Sequence, residues 1–189
     1  MGCRSTGVTG GMEYLVRKER TLAYQEAGRG TPPIVLLHNL QAEDPALLAH
    51  FEHFRLHHRT VAIDLQVCAQ GMEPLQNYPL STLADDLNWL CRALGLHRPV
   101  LVGLGAGGDV AEEIAGRHPD LPGGVVAVAG DRANRSAFRS GEARESDSIS
   151  FPHFLHLRTS LQMQPGNLDA LIDSLLLAIK SVSAGVALE

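Results

Sequence analysis

Gly103-Leu104-Gly105-Ala106-Gly107-Gly108 joins an apolar run, PVLVG at 99–103, to a helical pattern that puts Val110, Ala111, Ile114 and Ala115 on one face. A glycine turn between a strand and a helix can serve two chemistries. As G-x-G-x-x-G it is the phosphate turn of a dinucleotide-binding unit, in which bare backbone approaches a pyrophosphate at a helix N-terminus. As G-x-X-x-G it is the turn that lifts a nucleophilic atom over a sheet. The central position is then Gly105, which carries no side chain.

Other residue types could do chemistry. His50, His53 and His57 fall at i, i+3 and i+7, a spacing that could place three imidazoles on one helical face as a metal site. No carboxylate or cysteine clearly shares that face, so a solvated helix without metal is the expectation. His153 and His156 form an HxxH pair that could fold back over the glycine turn as a base, with no nucleophile there to activate. His38 ends the apolar run IVLLH and is expected to orient its own loop through hydrogen bonds, with proton transfer as the alternative catalytic role. Cys68 could attack only as a thiolate beside a histidine, so an incidental thiol is the expectation. Cys91 reads as core.

These residues need a scaffold. MEYLVRKERTLAYQEAG, 12–28, reads as two short strands turning near Glu19-Arg20. IVLLH at 34–38, TVAID at 60–64, the run at 99–103 and VVAVA at 125–129 are continuous apolar stretches, as in parallel strands covered on both faces. Helical patterns lie between them. One runs over 46–54. Another follows a turn-rich loop at 65–79, with Ser81 as its N-cap, Asp85 and Asp86 in its first turns and Gly95 as its stop. This alternation predicts a doubly wound, mainly parallel α/β sheet of about six strands flanked by helices. Beyond Asp131 the chain reads as a loop or linker at 132–150, then two helical segments, 151–162 and 167–182.

The order of motifs resembles the α/β-hydrolase superfamily over roughly residues 13–131. The matching landmarks are IVLLHNL at 34–40, VAIDL at 61–65, YPLSTLADDLNWLCRALGLHRPVLVG at 78–103, AEEIAGRHPDL at 111–121 and VVAVAGD at 125–131. The resemblance implies that Gly103 to Gly107 is the nucleophile elbow, with Gly105 where the family carries Ser, Cys or Asp. A glycine there would relieve strain, stabilising the fold by on the order of 0.5 to 2 kcal/mol while removing covalent catalysis. The resemblance also implies an oxyanion hole from the amides of Leu40 and Ala106, able to hold a carboxylate or carbonyl oxygen. It places Cys68 at the pocket rim, and Asp131 where some members supply a triad acid. Asn39 stands where the family has glycine, and the family's last strands, with their histidine, are expected to be missing.

A dinucleotide-binding unit would carry its glycine turn at the first strand-helix junction, whereas two buried strands precede this one. Asp131, 23 residues after Gly108, is the feature that favours that reading.

With 189 residues, 44% of them hydrophobic, and a formal charge of -5 without a basic cluster, the chain suits one domain and gives no footprint for nucleic acid or anionic membrane. Three scattered cysteines and no apolar leader point to a reducing, cytoplasmic setting. Residues 1–11 are expected to be a disordered leader, 12–131 the core and 151–189 cap-like helices, with no cofactor. The expected protein is an α/β-hydrolase-fold pseudoenzyme. Its alternatives are a small ester or lactone hydrolase acting by a non-covalent or relocated mechanism, with water activated by Asp131 or a late histidine, a receptor for small carbonyl or carboxylate ligands, and a dinucleotide binder. If 125–129 is a sheet edge, helix 167–182 should cover it or two chains should pair there.

Overall fold

The computed structural model describes residues 11–18, 20–39, 45–69, 79–128, 154–157, 177 and 180. Its chain order is β1 (Met12–Arg17), β2 (Arg20–Ala27), β3 (Ile34–His38), α1 (Pro45–Phe54), β4 (Thr60–Asp64), α2 (Leu65–Ala69), α3 (Leu80–Ala93), β5 (Val100–Leu104), α4 (Ala106–Arg117), β6 (Gly124–Val128) and β7 (Phe154–Leu157). The strands form one sheet in the order β1-β2-β4-β3-β5-β6-β7. β1 and β2 are antiparallel additions at one edge, whereas β4, β3, β5, β6 and β7 run parallel.

The continuous apolar runs follow from burial on both faces. Val35, Leu37, Val61, Ile63 and Leu101 point toward the core shared with α3 and α4, which supply Leu83, Leu87, Leu90, Val110 and Ile114. Their strand neighbours Ile34, Leu36, Ala62, Val100 and Val102 point the other way, onto Leu47, Phe51 and Phe54 of α1. The period of two along each strand therefore feeds two cores at once.

Local signals set the ends of α3. Gly95 takes a φ of 66°. With the Leu96 amide donating to the Cys91 carbonyl and the Gly95 amide to that of Arg92, it closes the helix in a Schellman turn. The other end departs from expectation, because Pro79 and not Ser81 is the N-cap. Asp85 and Asp86 lie beyond the first turn, and each is engaged across the fold instead. Asp85 accepts hydrogen bonds from Arg117 at 3.1 and 2.9 Å and sits 2.7 Å from His118 Nε2, tying α3 to α4.

Arg117 chiefly, then His118, holds the Asp85 carboxyl below its usual range. A folded-state value below the unfolded one means that the contribution is present at neutral pH and is lost as pH falls through the carboxylate range, below about pH 4. The site is more than a third exposed, so solvent screening keeps the effect under about 1 kcal/mol. Urea titrations of the parent chain and Asp85→Asn should therefore differ at pH 7, and the difference should shrink as the pH falls below the ordinary carboxylate range.

The second correction lies at the far edge. The expected helix at 151–162 gives way to β7, which pairs in parallel with β6 through Val125↔Phe154 to Val128↔Leu157. The sheet thus has seven strands, and β6 is not an open edge. Pairing of two chains along that strand is removed as an expectation, because β7 already takes its backbone groups. The leader, the linker at 132–150 and most of helix 167–182 lie outside the described residues; Leu177 and Lys180 are helical. Among the described residues no helix is long and apolar enough to cross a membrane.

Candidate functional site

Three strands end together at one pole of the sheet. β3 pairs with β4 on one side and β5 on the other, with His38 opposite Asp64 and Leu37 opposite Gly103. The chain leaves β3 toward β4 and then crosses back over β3 to β5, so their carboxyl ends form the switch point at which open α/β sheets bind ligands. Asn39, Asp64, Gln66 and Gly105 all lie there.

The glycine turn is built for close approach. Gly105 sits at φ 59° and ψ -120° as the N-cap of α4, a backbone state that residues with a Cβ seldom adopt. A Cβ on Gly103 would lie 2.3 Å from the Gly107 carbonyl oxygen, and one on Gly107 would lie 1.9 Å from that of Leu37. Gly103 is therefore fixed by packing of β5 against the first turn of α4, and Gly107 by packing of that turn against β3. The centre differs. Among the described residues, a Cβ on Gly105 would meet only the Asn39 side-chain oxygen, at 3.6 Å, an ordinary contact. The turn keeps the strained shape, and Gly105 supplies no side chain.

Neighbouring groups hold the rim. The Gln66 amide N–H donates to Asp64 Oδ1 at 2.8 Å, and Gln66 Nε2 donates to the Asn39 carbonyl at 2.7 Å. Nothing in the sequence singles out Gln66, because its partner is a backbone carbonyl 27 residues away. Ala106 is buried in the first turn of α4, where amides have no intrahelical acceptor. His38 is buried at the end of β3. Leu40 and Asp131 lie outside the described residues.

The remaining candidates separate from this site. Cys68 is not in a rim loop; it lies on α2, buried, with Sγ 4.0 Å from the Ala23 carbonyl. Burial pushes its thiol up to about 12, and does the same for Cys91. A substitute nucleophile would need the opposite shift. Iodoacetamide at pH 8 should leave both cysteines unmodified in the native protein and label both in guanidinium, as read by peptide mass.

The histidine trio also fails to assemble. α1 ends at Phe54, so His57 falls in the following turn. His50 is fully buried and stacks on Phe54 at 6.4 Å, while His53 meets the same ring edge-on at 5.8 Å. The solvated-helix expectation is corrected for His50, since α1 turns that residue into the sheet. Among the described residues no group of three potential metal ligands converges. His156 falls on β7 instead of a helix, and His153 lies outside the described residues.

A profile of the α/β-hydrolase fold matches residues 32–158. The chain belongs to the α/β-hydrolase fold family. Within that fold the glycine turn follows the third parallel strand in chain order, not the first strand-helix junction at which a dinucleotide-binding unit carries its glycine turn. This α/β-hydrolase-fold chain is 32% identical over 124 residues to epoxide hydrolase 3 of Xenopus tropicalis, a match covering 63% of this chain and 34% of the relative. It is 33% identical over 101 residues to epoxide hydrolase 4 of Homo sapiens, covering 52% and 28%. The chain thus spans about a third of the length of the curated relatives it matches.

Among solved structures, a haloalkane dehalogenase loop variant from Bradyrhizobium elkanii aligns with a TM-score of 0.52 at 25% identity, over 64% of this chain and 40% of that one. An N-acyl homoserine lactonase, a serine-to-glycine mutant complexed with N-hexanoyl homoserine lactone, aligns with a TM-score of 0.53 at 20% identity, over 62% and 45%.

Proposed function

We propose that this α/β-hydrolase-fold chain binds a small oxygen-bearing organic ligand at the carboxyl ends of β3 and β5 without forming a covalent intermediate at the elbow. The observation that carries this reading is the state of Gly105. Its turn keeps φ 59° and ψ -120°, and the space beside it opens toward Asn39. Nucleophilic catalysis splits a difficult step in two by making a bond to the enzyme, and it needs an oxygen, sulfur or nitrogen at the attacking position. Gly105 offers only hydrogen.

What survives is recognition. The first amides of α4 lack intrahelical acceptors and can face a polarised oxygen, which requires no side chain. The relatives named as epoxide hydrolases suggest the ligand class, an epoxide or the diol to which it opens.

The test pairs binding with turnover. Nitrophenyl acetate and styrene oxide are incubated with the protein, initial rates are followed, and intact mass is recorded at high substrate. The expected result is no stoichiometric burst, no adduct on the elbow peptide, and a ligand-dependent rise in Tm with epoxide or diol. Saturable turnover with an acyl or alkyl adduct on the chain would falsify the reading.

A further inference from the structure

β1 closes one side of the sheet, and among the described residues no strand pairs with its outer edge. The hairpin sets its backbone pattern. Arg17 and Arg20 are partners across a two-residue connection, which makes them a hydrogen-bonded pair, as are Leu15 with Leu22 and Glu13 with Tyr24. The alternate residues Met12, Tyr14 and Val16 therefore turn their amides and carbonyls away from β2, toward the open edge. Such an edge is a template for another strand unless a proline or a bulge blunts it. Neither interrupts β1, whose six residues pair with β2 without a break.

The side chains divide by face. Leu15 packs on the core and Arg17 reaches Asp86 of α3, so Glu13, Leu15 and Arg17 share the helix side. Tyr14 and Val16 point the other way and are 58% and 65% exposed.

This pattern is complementary to itself. Two copies of β1 laid antiparallel about a two-fold axis at Leu15 bring Tyr14 of each opposite Val16 of the other, and the outward backbone groups of these residues form the ladder. Glu13 of each copy then faces Arg17 of the other, which gives two pairs of opposite charge on the helix side. Registers centred on Tyr14 or on Val16 keep the same backbone pattern, but they set Leu15 against Glu13 or against Arg17 and lose both charge pairs. The Glu13 carboxylate accepts from the Tyr24 hydroxyl through Oε2, and Arg17 donates to Asp86 and to the Asp85 carbonyl through Nη1. Each keeps a further atom for the pair across the two copies.

We propose that the outer edge of β1 is a dimerisation surface whose partner is a second copy of this chain, paired antiparallel about Leu15. Two seven-stranded sheets then become one continuous sheet. Tyr14 and Val16 cover each other across the axis, and the edge loses its unpaired amides and carbonyls.

The experiment is sedimentation equilibrium of the full chain over about 1 to 100 µM, the range in which so small an interface dissociates. The parent should pass from monomer to dimer across it. Tyr14→Lys with Val16→Lys sets ammonium groups opposite each other twice and should weaken the dimer about tenfold or more. Tyr14→Lys with Val16→Glu opposes unlike charges in the Leu15-centred register and should restore the dimer. In the Tyr14-centred register the same variant would set lysine against lysine. Both positions are more than half exposed, so the core is untouched, and equal urea midpoints of the monomers check that. A parent that stays monomeric overturns the proposal, whatever else covers the edge. A double-lysine variant that dimerises like the parent, or a lysine and glutamate variant that does not recover, overturns it as well.

Discussion

Gly107→Ala is expected to lose about 3 kcal/mol or more of stability, the largest effect of any single methyl group added to the elbow. The new Cβ would lie 1.9 Å from the Leu37 carbonyl oxygen and 2.6 Å from its carbon. Neither atom can yield easily. Leu37 is in β3, held between β4 and β5, and its displacement would disturb both ladders. Gly107 itself is fixed by the start of α4, and Gly103 packs against its carbonyl. Gly105→Ala is the control. There, among the described residues, the added carbon meets only a side-chain oxygen at 3.6 Å, and the cost is the backbone strain of φ 59°, roughly 1 to 3 kcal/mol. Urea unfolding of the two variants beside the parent separates them, with Gly107→Ala at the lower midpoint. Equal midpoints would mean that the elbow does not pack against β3 in this way. The comparison also bears on function, because it shows whether this chain keeps its elbow for packing at the flanks while leaving the centre open.

The second large effect concerns the hairpin of β1 and β2. Arg17 and Arg20 lie directly opposite each other, an arrangement that is unfavourable for like charges. Asp86 resolves it. Arg17 Nη1 donates to Asp86 Oδ1 at 2.7 Å and to the Asp85 carbonyl at 2.5 Å, Arg20 Nη1 donates to Asp86 Oδ2, and Arg17 also lies over the Trp89 ring at 5.7 Å. The Asp86 side chain is only 3% exposed, whereas those of Arg17 and Arg20 are 22% and 26% exposed. That asymmetry sets the sign of the experiment. Replacing both arginines by methionine removes two cations from a buried carboxylate and should cost about 3 kcal/mol or more. Asp86→Leu alone leaves cations that water can still reach, and should cost less. Asp86→Leu on the double-methionine background should recover part of the loss, which a thermodynamic cycle measures directly. If the triple variant is no more stable than the double, the clamp does not act through its charges.

Most of the sheet was legible in the sequence. Four apolar runs of strand length, each followed or preceded by a helical period, leave few alternatives to a parallel sheet with helices on both faces. The resemblance then gave the elbow its place. β7 was not legible, because FLHL inside a mixed segment has neither the length nor the alternation that separates a short strand from a helix turn; its pairing with β6 decides the matter. Residues 65–69 were read as loop for a related reason. A five-residue helix has too few positions to show a period, and α2 is started by the Asp64 side chain accepting from the Gln66 amide.

The site divides along the same line. Sequence alone determined that position 105 carries no nucleophilic atom and that glycines flank it, since these are facts of residue type. It also determined, through the spacing of apolar runs, which elements stand on either side of that position. Only the tertiary structure decided that Gly103 and Gly107 are fixed by carbonyl contacts, that the space at Gly105 faces Asn39, and that Cys68 and His50 are buried away from chemistry. It also showed that two aspartates expected to serve a helix end instead bind cations from β1, β2 and α4. The physical reason is one of range. A residue's type and its neighbours within a turn fix its local preference, but a contact of 2 to 4 Å between groups tens of residues apart exists only once the strands have paired in register.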